Sequence, residues 1–266
     1  MPSKLIENNF RKDRLPHIWC SGCGHGILMR CVAKAIEELN IDKDKICIVS
    51  GIGCSSRASG YFDYNTVHTL HGRALSFATG IKLSNPELKV IVITGDGDAT
   101  AIGGNHLIHS CRRNIDITTI VFNNNIYGMT GGQYSPTTQI SDKATTAPYG
   151  NIDKPFDVCQ LAAGAGATFV ARASAYHAKQ MIEYTKKAIN HDGFSVVEGV
   201  SICPTYYGRK NKKGSAVEMM KLIKENSKIT NQNIDNKISI GIFKEEILPE
   251  YTRQYSQIIE KLQERK

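Results

Sequence analysis

The sequence predicts an α/β protein, a parallel sheet flanked by helices with a C-terminal extension, and three observations predict it. Two short β-branched runs, 90–94 and 117–122, are separated by a helix-length segment, the pattern of a βαβ unit. Both runs are near-continuously apolar rather than alternating, as strands buried on both faces of a parallel sheet are. Two further runs, 46–49 and 194–200, likewise break into turns rich in glycine, serine or cysteine at their carboxyl ends.

From the N-terminus, the polar first 14 residues lack the apolar stretch of a signal peptide. Trp19-Cys20-Ser21-Gly22-Cys23-Gly24-His25-Gly26 then leads into an amphipathic helical pattern over 27–39. A C-x-x-C at the start of a helix is a redox dithiol, half of a metal site, or coincidence. The strand at 46–49 runs into Ser50-Gly51-Ile52-Gly53-Cys54-Ser55, and 62–74 carries His68, His71 and Arg73. After Gln133, residues 134–155 are rich in turn formers and hydroxyls and form a long loop, either lining a site or simply connecting two elements. Residues 156–166 read as a helix ending in glycine, 168–171 as a strand, 175–189 as a helix, and 194–200 as the last core strand, which runs into Ser201-Ile202-Cys203-Pro204. Beyond Gly208 the chain turns lysine-rich, with an extended segment at 239–243 and a terminal helix at 256–262. We divide it into a domain, 1–208, and a basic extension, 209–266, packing on that domain or on a partner.

Composition bounds the function. A chain of 266 residues with 41% hydrophobic residues fills one large α/β domain. No run approaches the ~20 apolar residues that span a bilayer, so no membrane role and a cytoplasmic location are expected. Eight cysteines are too sparse for a disulfide scaffold and raise metal or cluster ligation instead. The net charge of +8 suits an acidic protein partner or a polyphosphate ligand. No helix-turn-helix, RNA-binding aromatic motif or histidine-bearing zinc finger points to nucleic acid. Cys31, Cys47, Cys111 and Cys159 sit in helix-like or strand-like runs and are expected as core hydrophobes. His68, His106 and His109 are expected as structural, hydrogen-bonded groups.

The chemistry concentrates where strands end. The run at 90–94 breaks into Gly95-Asp96-Gly97-Asp98, and the run at 117–122 ends in Asn123-Asn124-Asn125-Ile126-Tyr127-Gly128. Asp96 and Asn124 thus fall past the carboxyl ends of two strands, where open α/β sheets bind ligands. A carboxylate, an amide oxygen and a free carbonyl are hard donors suited to Mg²⁺ holding a phosphate or diphosphate, and the glycines let backbone approach it. Each motif alone would also suit a plain turn, but turn preference does not explain their pairing after successive strands. The dinucleotide spacing G-x-G-x-x-G fails at Thr100 and no Walker-type loop occurs. Cys54 and Cys203 lie on the same edge, so four thiolates can converge there with Cys20 and Cys23. Such a set holds zinc or an iron–sulfur cluster, and by chemistry alone slightly favours zinc.

The Gly95-Asp96-Gly97 and Asn123-Asn124 pair resembles the thiamine diphosphate signature. The longer strings Gly95-Asp-Gly-Asp-Ala-Thr-Ala-Ile-Gly-Gly-Asn-His106 and Tyr127-Gly-Met-Thr-Gly-Gly-Gln133 resemble the β subunit of the 2-oxoacid:ferredoxin oxidoreductases, most closely the 2-oxoglutarate type. The likeness runs from about residue 16 to 207. It implies the diphosphate-binding half of the thiamine diphosphate-binding fold, with Asp96, Asn124 and the Ile126 carbonyl as Mg²⁺ ligands. Gly97, Asp98, Tyr127 and Gly128 would line the diphosphate, while Ile52, Gly53, Cys54, Ser55 and His71 would contact the cofactor. Arg73 is a weaker candidate for a substrate carboxylate. The resemblance also turns the zinc preference around, implying Cys20, Cys23, Cys54 and Cys203 as ligands of a [4Fe–4S] cluster.

The implied activity is coenzyme A-dependent oxidative decarboxylation of 2-oxoglutarate to succinyl-CoA, with electrons passed through the cluster to ferredoxin. No motif supplies the glutamate that activates the cofactor, so the resemblance assigns it to an α subunit carrying the pyrimidine-binding half. Gly131 stands where some relatives have a lysine associated with coenzyme A, which leaves the coenzyme A contacts open. The alternatives are a branched-chain 2-oxoacid or pyruvate enzyme, a non-oxidative thiamine diphosphate enzyme with a zinc site, and a nucleotide-binding regulator.

Overall fold

The computed structural model describes residues 4–232, 234 and 237–264. In chain order the helices are α1 (Lys4–Asn9), α2 (His25–Leu39), α3 (Ala74–Ser84), α4 (Gly104–Arg113), α5 (Val158–Gly164), α6 (Ala178–Asn190), α7 (Ala216–Asn226) and α8 (Tyr251–Gln263). The strands are β1 (Ile46–Ser50), β2 (Asn65–His68), β3 (Lys89–Gly95), β4 (Thr118–Asn123), β5 (Phe169–Ser174), β6 (Ser195–Val200), β7 (Ser227–Ile229) and β8 (Ile238–Glu245).

They form one eight-stranded sheet in the order β2-β1-β3-β4-β6-β5-β8-β7. Strands β2 to β5 run parallel, and β8 joins β5 antiparallel. Residues of β1, β4 and β5 are buried at every position, which is why these strands carry no polar alternation. One core lies between the sheet and α2 and α6, around Leu28, Val32, Ile36, Ile91 and Ile120. The other lies between the sheet and α3, α4 and α5, around Leu75, Leu107, Val92, Val121 and Val158. Helix α2 places Leu28, Met29, Val32 and Ile36 on one buried stripe and stops at Asn40 in the left-handed region.

Register sets the site. Gly95 of β3 pairs with Phe122 of β4, and Asn123 of β4 pairs with Val200 of β6. The segments beginning at Asp96, Asn124 and Ser201 therefore leave neighbouring strands at one level. Two of the turns that follow are π-helical, Asp98–Ile102 and Pro204–Gly208, a form common next to functional groups.

Residues after 208 are more structured than their composition suggests. Helix α7 opens with a capping box in which Ser215 and Glu218 exchange hydrogen bonds with each other's backbone. Strand β8 covers the expected extended segment and α8 the expected helix.

Beneath the rim lies a buried ion pair. Arg172 of β5 donates to Glu198 Oε2 of β6 at 2.6 Å and to Asp157 Oδ1, also at 2.6 Å, while Asn123 Nδ2 donates to Glu198 Oε1 at 2.7 Å. Breaking a buried pair leaves an uncompensated charge, so Glu198→Ala is expected to cost about 3 kcal/mol, read as an earlier unfolding transition in denaturant. An unchanged transition would show that Asp157 alone neutralises the guanidinium.

Candidate cofactor and metal site

The turns after β1, β2, β3 and β4 enclose a cleft lined by Ile52, Gly53, Cys54, Ser55, His71, Asp96, Gly97, Asp98, Asn124, Ile126, Tyr127 and Gly128, together with His25 and Phe122. Every residue expected at the cofactor or the Mg²⁺ ion lines this one cleft. Arg73 instead donates to the Ile102 carbonyl at 3.1 Å and lies outside the lining, as do His68, His106 and His109.

Asp96 is buried and held from the loop after Gln133. Ser135 Oγ donates to Asp96 Oδ2 at 2.6 Å and Thr137 Oγ1 to the same oxygen at 2.7 Å. Burial still wins over these bonds and pushes the carboxyl above its usual range. Asn124 Oδ1 accepts from the Ile126 amide at 3.3 Å, so this amide oxygen and the buried Ile126 backbone belong to one tight turn.

Asp98, in the cleft lining, also fastens the turns around it. Its Oδ1 accepts from the Gly72 amide at 2.7 Å, from the Ile52 amide at 3.3 Å and from His71 Nδ1, and its Oδ2 accepts from Thr94 Oγ1 at 2.7 Å. The carboxylate thus ties together the turns after β1 and β2 and the end of β3, and His71 Nε2 has no hydrogen-bond partner among the described residues. Tyr127 OH donates to the Gly97 carbonyl at 3.1 Å, and a Cβ at Gly97 would stand 2.2 Å from the tyrosine ring. Only glycine allows that approach. Burial, with Asp96 and Asp98 adding, pushes the Tyr127 phenol up to about 12, so the hydroxyl stays a donor.

His25 is a site residue that the sequence did not single out. It is fully buried, stays neutral because burial lowers it to about 3, and lies between Ser201 Oγ at 3.0 Å and Asn124 Nδ2 at 3.5 Å. Ser135 and Thr137 were equally hidden in a hydroxyl-rich loop.

The four thiols gather beside this cleft. Trp19 Nε1 donates to the Cys54 carbonyl at 2.6 Å, and the Gly24 amide donates to the Ile202 carbonyl at 3.2 Å, fastening the C-x-x-C turn to the segments carrying Cys54 and Cys203. A Cβ on Gly128 would lie 3.2 Å from Cys54 Sγ and 3.8 Å from Cys203 Sγ. Burial pushes the Cys23 thiol up to about 12, with the Cys203, Cys54 and Cys20 thiols adding, and the Cys54 thiol up to about 11. Among the described residues the one group of three or more acidic, imidazole or thiol ligands within 4.8 Å of one another is Asp157, Cys159 and Glu198, already filled by Arg172. No three rim thiols are that close, whereas thiolates on one zinc ion stand about 3.8 Å apart. Cys31, Cys47, Cys111 and Cys159 are buried in the core, as expected.

A parallel sheet whose carboxyl rim presents a buried aspartate and an amide turn to a glycine-lined cleft defines the diphosphate-binding half of a thiamine diphosphate enzyme. Residues 51–199 match the family described as thiamine pyrophosphate enzyme, C-terminal TPP binding domain. The chain is 53% identical over 259 residues, 95% of its length and 96% of the relative's, to the 2-oxoglutarate synthase subunit KorB of Methanocaldococcus jannaschii. It is 47% identical over 190 residues, 71% of its length and 62% of the relative's, to the 2-oxoacid:ferredoxin oxidoreductase subunit beta of Saccharolobus solfataricus. Among solved structures, a 2-oxoglutarate:ferredoxin oxidoreductase from Magnetococcus marinus with 2-oxoglutarate, coenzyme A and succinyl-CoA bound superposes with a TM-score of 0.88 at 33% identity, covering 97% of this chain and 90% of that one. The chain belongs to the thiamine pyrophosphate enzyme family and, within it, to the β subunits of the 2-oxoacid:ferredoxin oxidoreductases.

Proposed function

We propose that the chain is the thiamine diphosphate-binding β subunit of a 2-oxoglutarate:ferredoxin oxidoreductase, which converts 2-oxoglutarate and coenzyme A to succinyl-CoA and CO₂ while reducing ferredoxin. The observation that carries this is the meeting of the Asp96–Asn124 rim and the four thiols on one edge of the sheet.

The residues fit the groups. The buried Asp96 carboxylate has Oδ1 without a side-chain donor among the described residues, as a cation ligand requires, and Asn124 Oδ1 and the Ile126 carbonyl complete a hard donor set for Mg²⁺. Gly97, Asp98, Tyr127 and Gly128 line the place of the diphosphate, with His71 and residues 52–55 beside it. Cys20, Cys23, Cys54 and Cys203 are the ligands assigned to the [4Fe–4S] cluster. When bound, thiamine diphosphate supplies the carbanion and electron sink for decarboxylation, and the cluster supplies one-electron acceptance.

The chain's own part is placement. Asp96 and Asn124 bring a divalent cation to the phosphates, Asp98 fixes the His71 ring in the lining of the cleft, and Ile52, Phe122 and Ile126 keep its wall apolar. No glutamate lines the cleft among the described residues, and this reading assigns the activating one to the α subunit. Residues 209–266 serve as an extension of the cofactor-binding unit. Eight unpaired thiols suit the reducing cytoplasm, where ferredoxin would be the electron acceptor. Among the described residues no helix is long and apolar enough to cross a membrane.

The test is an anaerobic preparation of the complex with its α subunit, assayed for iron, visible absorbance and ferredoxin reduction with 2-oxoglutarate, pyruvate and branched-chain 2-oxoacids. Iron, a visible band and reduction fastest with 2-oxoglutarate are expected, and this chain alone should be inactive. Zinc in place of iron, without ferredoxin reduction, would sink the reading.

A further inference from the structure

Among the described residues, both side-chain hydrogen bonds to the Asp96 carboxylate fall on the same oxygen. Ser135 and Thr137 both donate to Oδ2, at 2.6 and 2.7 Å, and both are 1% exposed, so no water replaces them. The single Thr137 hydroxyl proton has Asn123 Oδ1 at 3.0 Å as a second, longer acceptor, and Asn123 itself donates to Glu198 Oε1 at 2.7 Å, next to Arg172. Thr138, the next residue, donates to the Asn125 carbonyl at 2.7 Å and pins the loop to the Asn123–Gly128 turn.

We propose that Ser135 and Thr137 are positioning residues that set the metal selectivity of the Asp96 site, favouring Mg²⁺ over Ca²⁺. The inference rests on reading Asp96 as a Mg²⁺ ligand. Two hydroxyls within hydrogen-bond distance of Oδ2 hold the carboxylate against rotation, which presents Oδ1 to the ion as a single donor. Mg²⁺ takes near-octahedral, short contacts from one carboxylate oxygen, whereas Ca²⁺ accepts more and longer contacts and readily takes both oxygens of a carboxylate. A carboxylate that cannot turn its second oxygen toward the ion withholds the bidentate mode from Ca²⁺ and leaves the monodentate mode to Mg²⁺.

The test uses the assembled complex, freed of divalent cations, with bound thiamine diphosphate measured by equilibrium dialysis as Mg²⁺ or Ca²⁺ is added. In the Ser135→Ala/Thr137→Val variant the Mg²⁺ half-saturation should rise by about 10- to 100-fold, the range for losing groups that orient a metal ligand, and the Ca²⁺ value should rise far less. The preference for Mg²⁺ therefore shrinks by about tenfold. Thr137→Ser, which keeps the hydroxyl, should retain the wild-type preference. Should the double variant fail to assemble, Ser135→Ala alone carries the test with a smaller shift in the same sense. Equal shifts for both cations would mean general loosening and overturn the proposal, as would no shift at all. A wild-type complex that binds no thiamine diphosphate with either cation would overturn the functional reading and this inference with it, whereas an unchanged preference in the variants overturns the inference alone.

Discussion

Asp96→Asn is expected to lower kcat/KM of the assembled complex by at least about three orders of magnitude, while leaving the metal-free protein no less stable than wild type. Removing a single preorganised electrostatic contact already costs about 10²- to 10³-fold, and here the lost ligand holds the cation on which the whole diphosphate depends. The stability half follows from burial. Desolvation raises the Asp96 pKa in the folded state despite the Ser135 and Thr137 bonds. A folded-state pKa above the unfolded one gives a stability contribution that is complete below the ordinary carboxylate pKa and fades as pH rises through the folded value. Metal-free wild type should therefore lose stability as pH climbs from the acid range toward neutrality, and the neutral amide should not. Thiamine diphosphate and Mg²⁺ retained after gel filtration, with melting curves across that pH range in chelator, check both halves. Wild-type turnover in the variant would remove Asp96 from the metal site.

Cys203→Ser is expected to erase the visible absorbance and cut ferredoxin-linked turnover by more than about 100-fold, beyond the range for groups that only orient a ligand. Thiamine diphosphate binding should survive, because Cys203 stands on the thiol side of the cleft and takes no part in holding Asp96 or Asn124. Gly128→Ala offers a milder probe of the same geometry. Its new Cβ would crowd Cys54 Sγ at 3.2 Å while only touching Cys203 Sγ at 3.8 Å, so iron content should fall without any change in ligand chemistry. Iron and thiamine diphosphate assays on the same samples separate the two groups. Full absorbance in Cys203→Ser would place the cluster elsewhere in the complex.

What the sequence made legible follows burial. Strands β1, β3, β4 and β6 announce themselves because both faces are covered, so apolar residues run unbroken and their ends lie where glycine, aspartate and asparagine begin. Strand β2 gives no such signal. It is an edge strand, exposed or half-exposed at all its residues, and Asn65-Thr-Val-His68 offers a single apolar residue, Val67, and so no repeat. Helix α7 carried a readable mark in Ser215 and Glu218, lost among the surrounding lysines. At the site, Asp96 and Asn124 are legible because motif and strand end coincide. Ser135 and Thr137 are not, since a hydroxyl in a turn-rich loop looks the same whether it meets water or a carboxylate 39 or 41 residues away in sequence. His25 is similarly silent, as only the fold brings it to Asn124.

The knot that Asp98 makes among three turns bears on the thermodynamics of ligand capture. Immobilising a free segment costs roughly 1–2 kcal/mol per backbone residue, and a receptor that must do so on docking loses that much affinity. Here the carboxylate has done it during folding, from the Ile52, His71, Gly72 and Thr94 sides at once. This wall of the cleft is therefore a preformed mould, and a ligand docking against it orders no further backbone there.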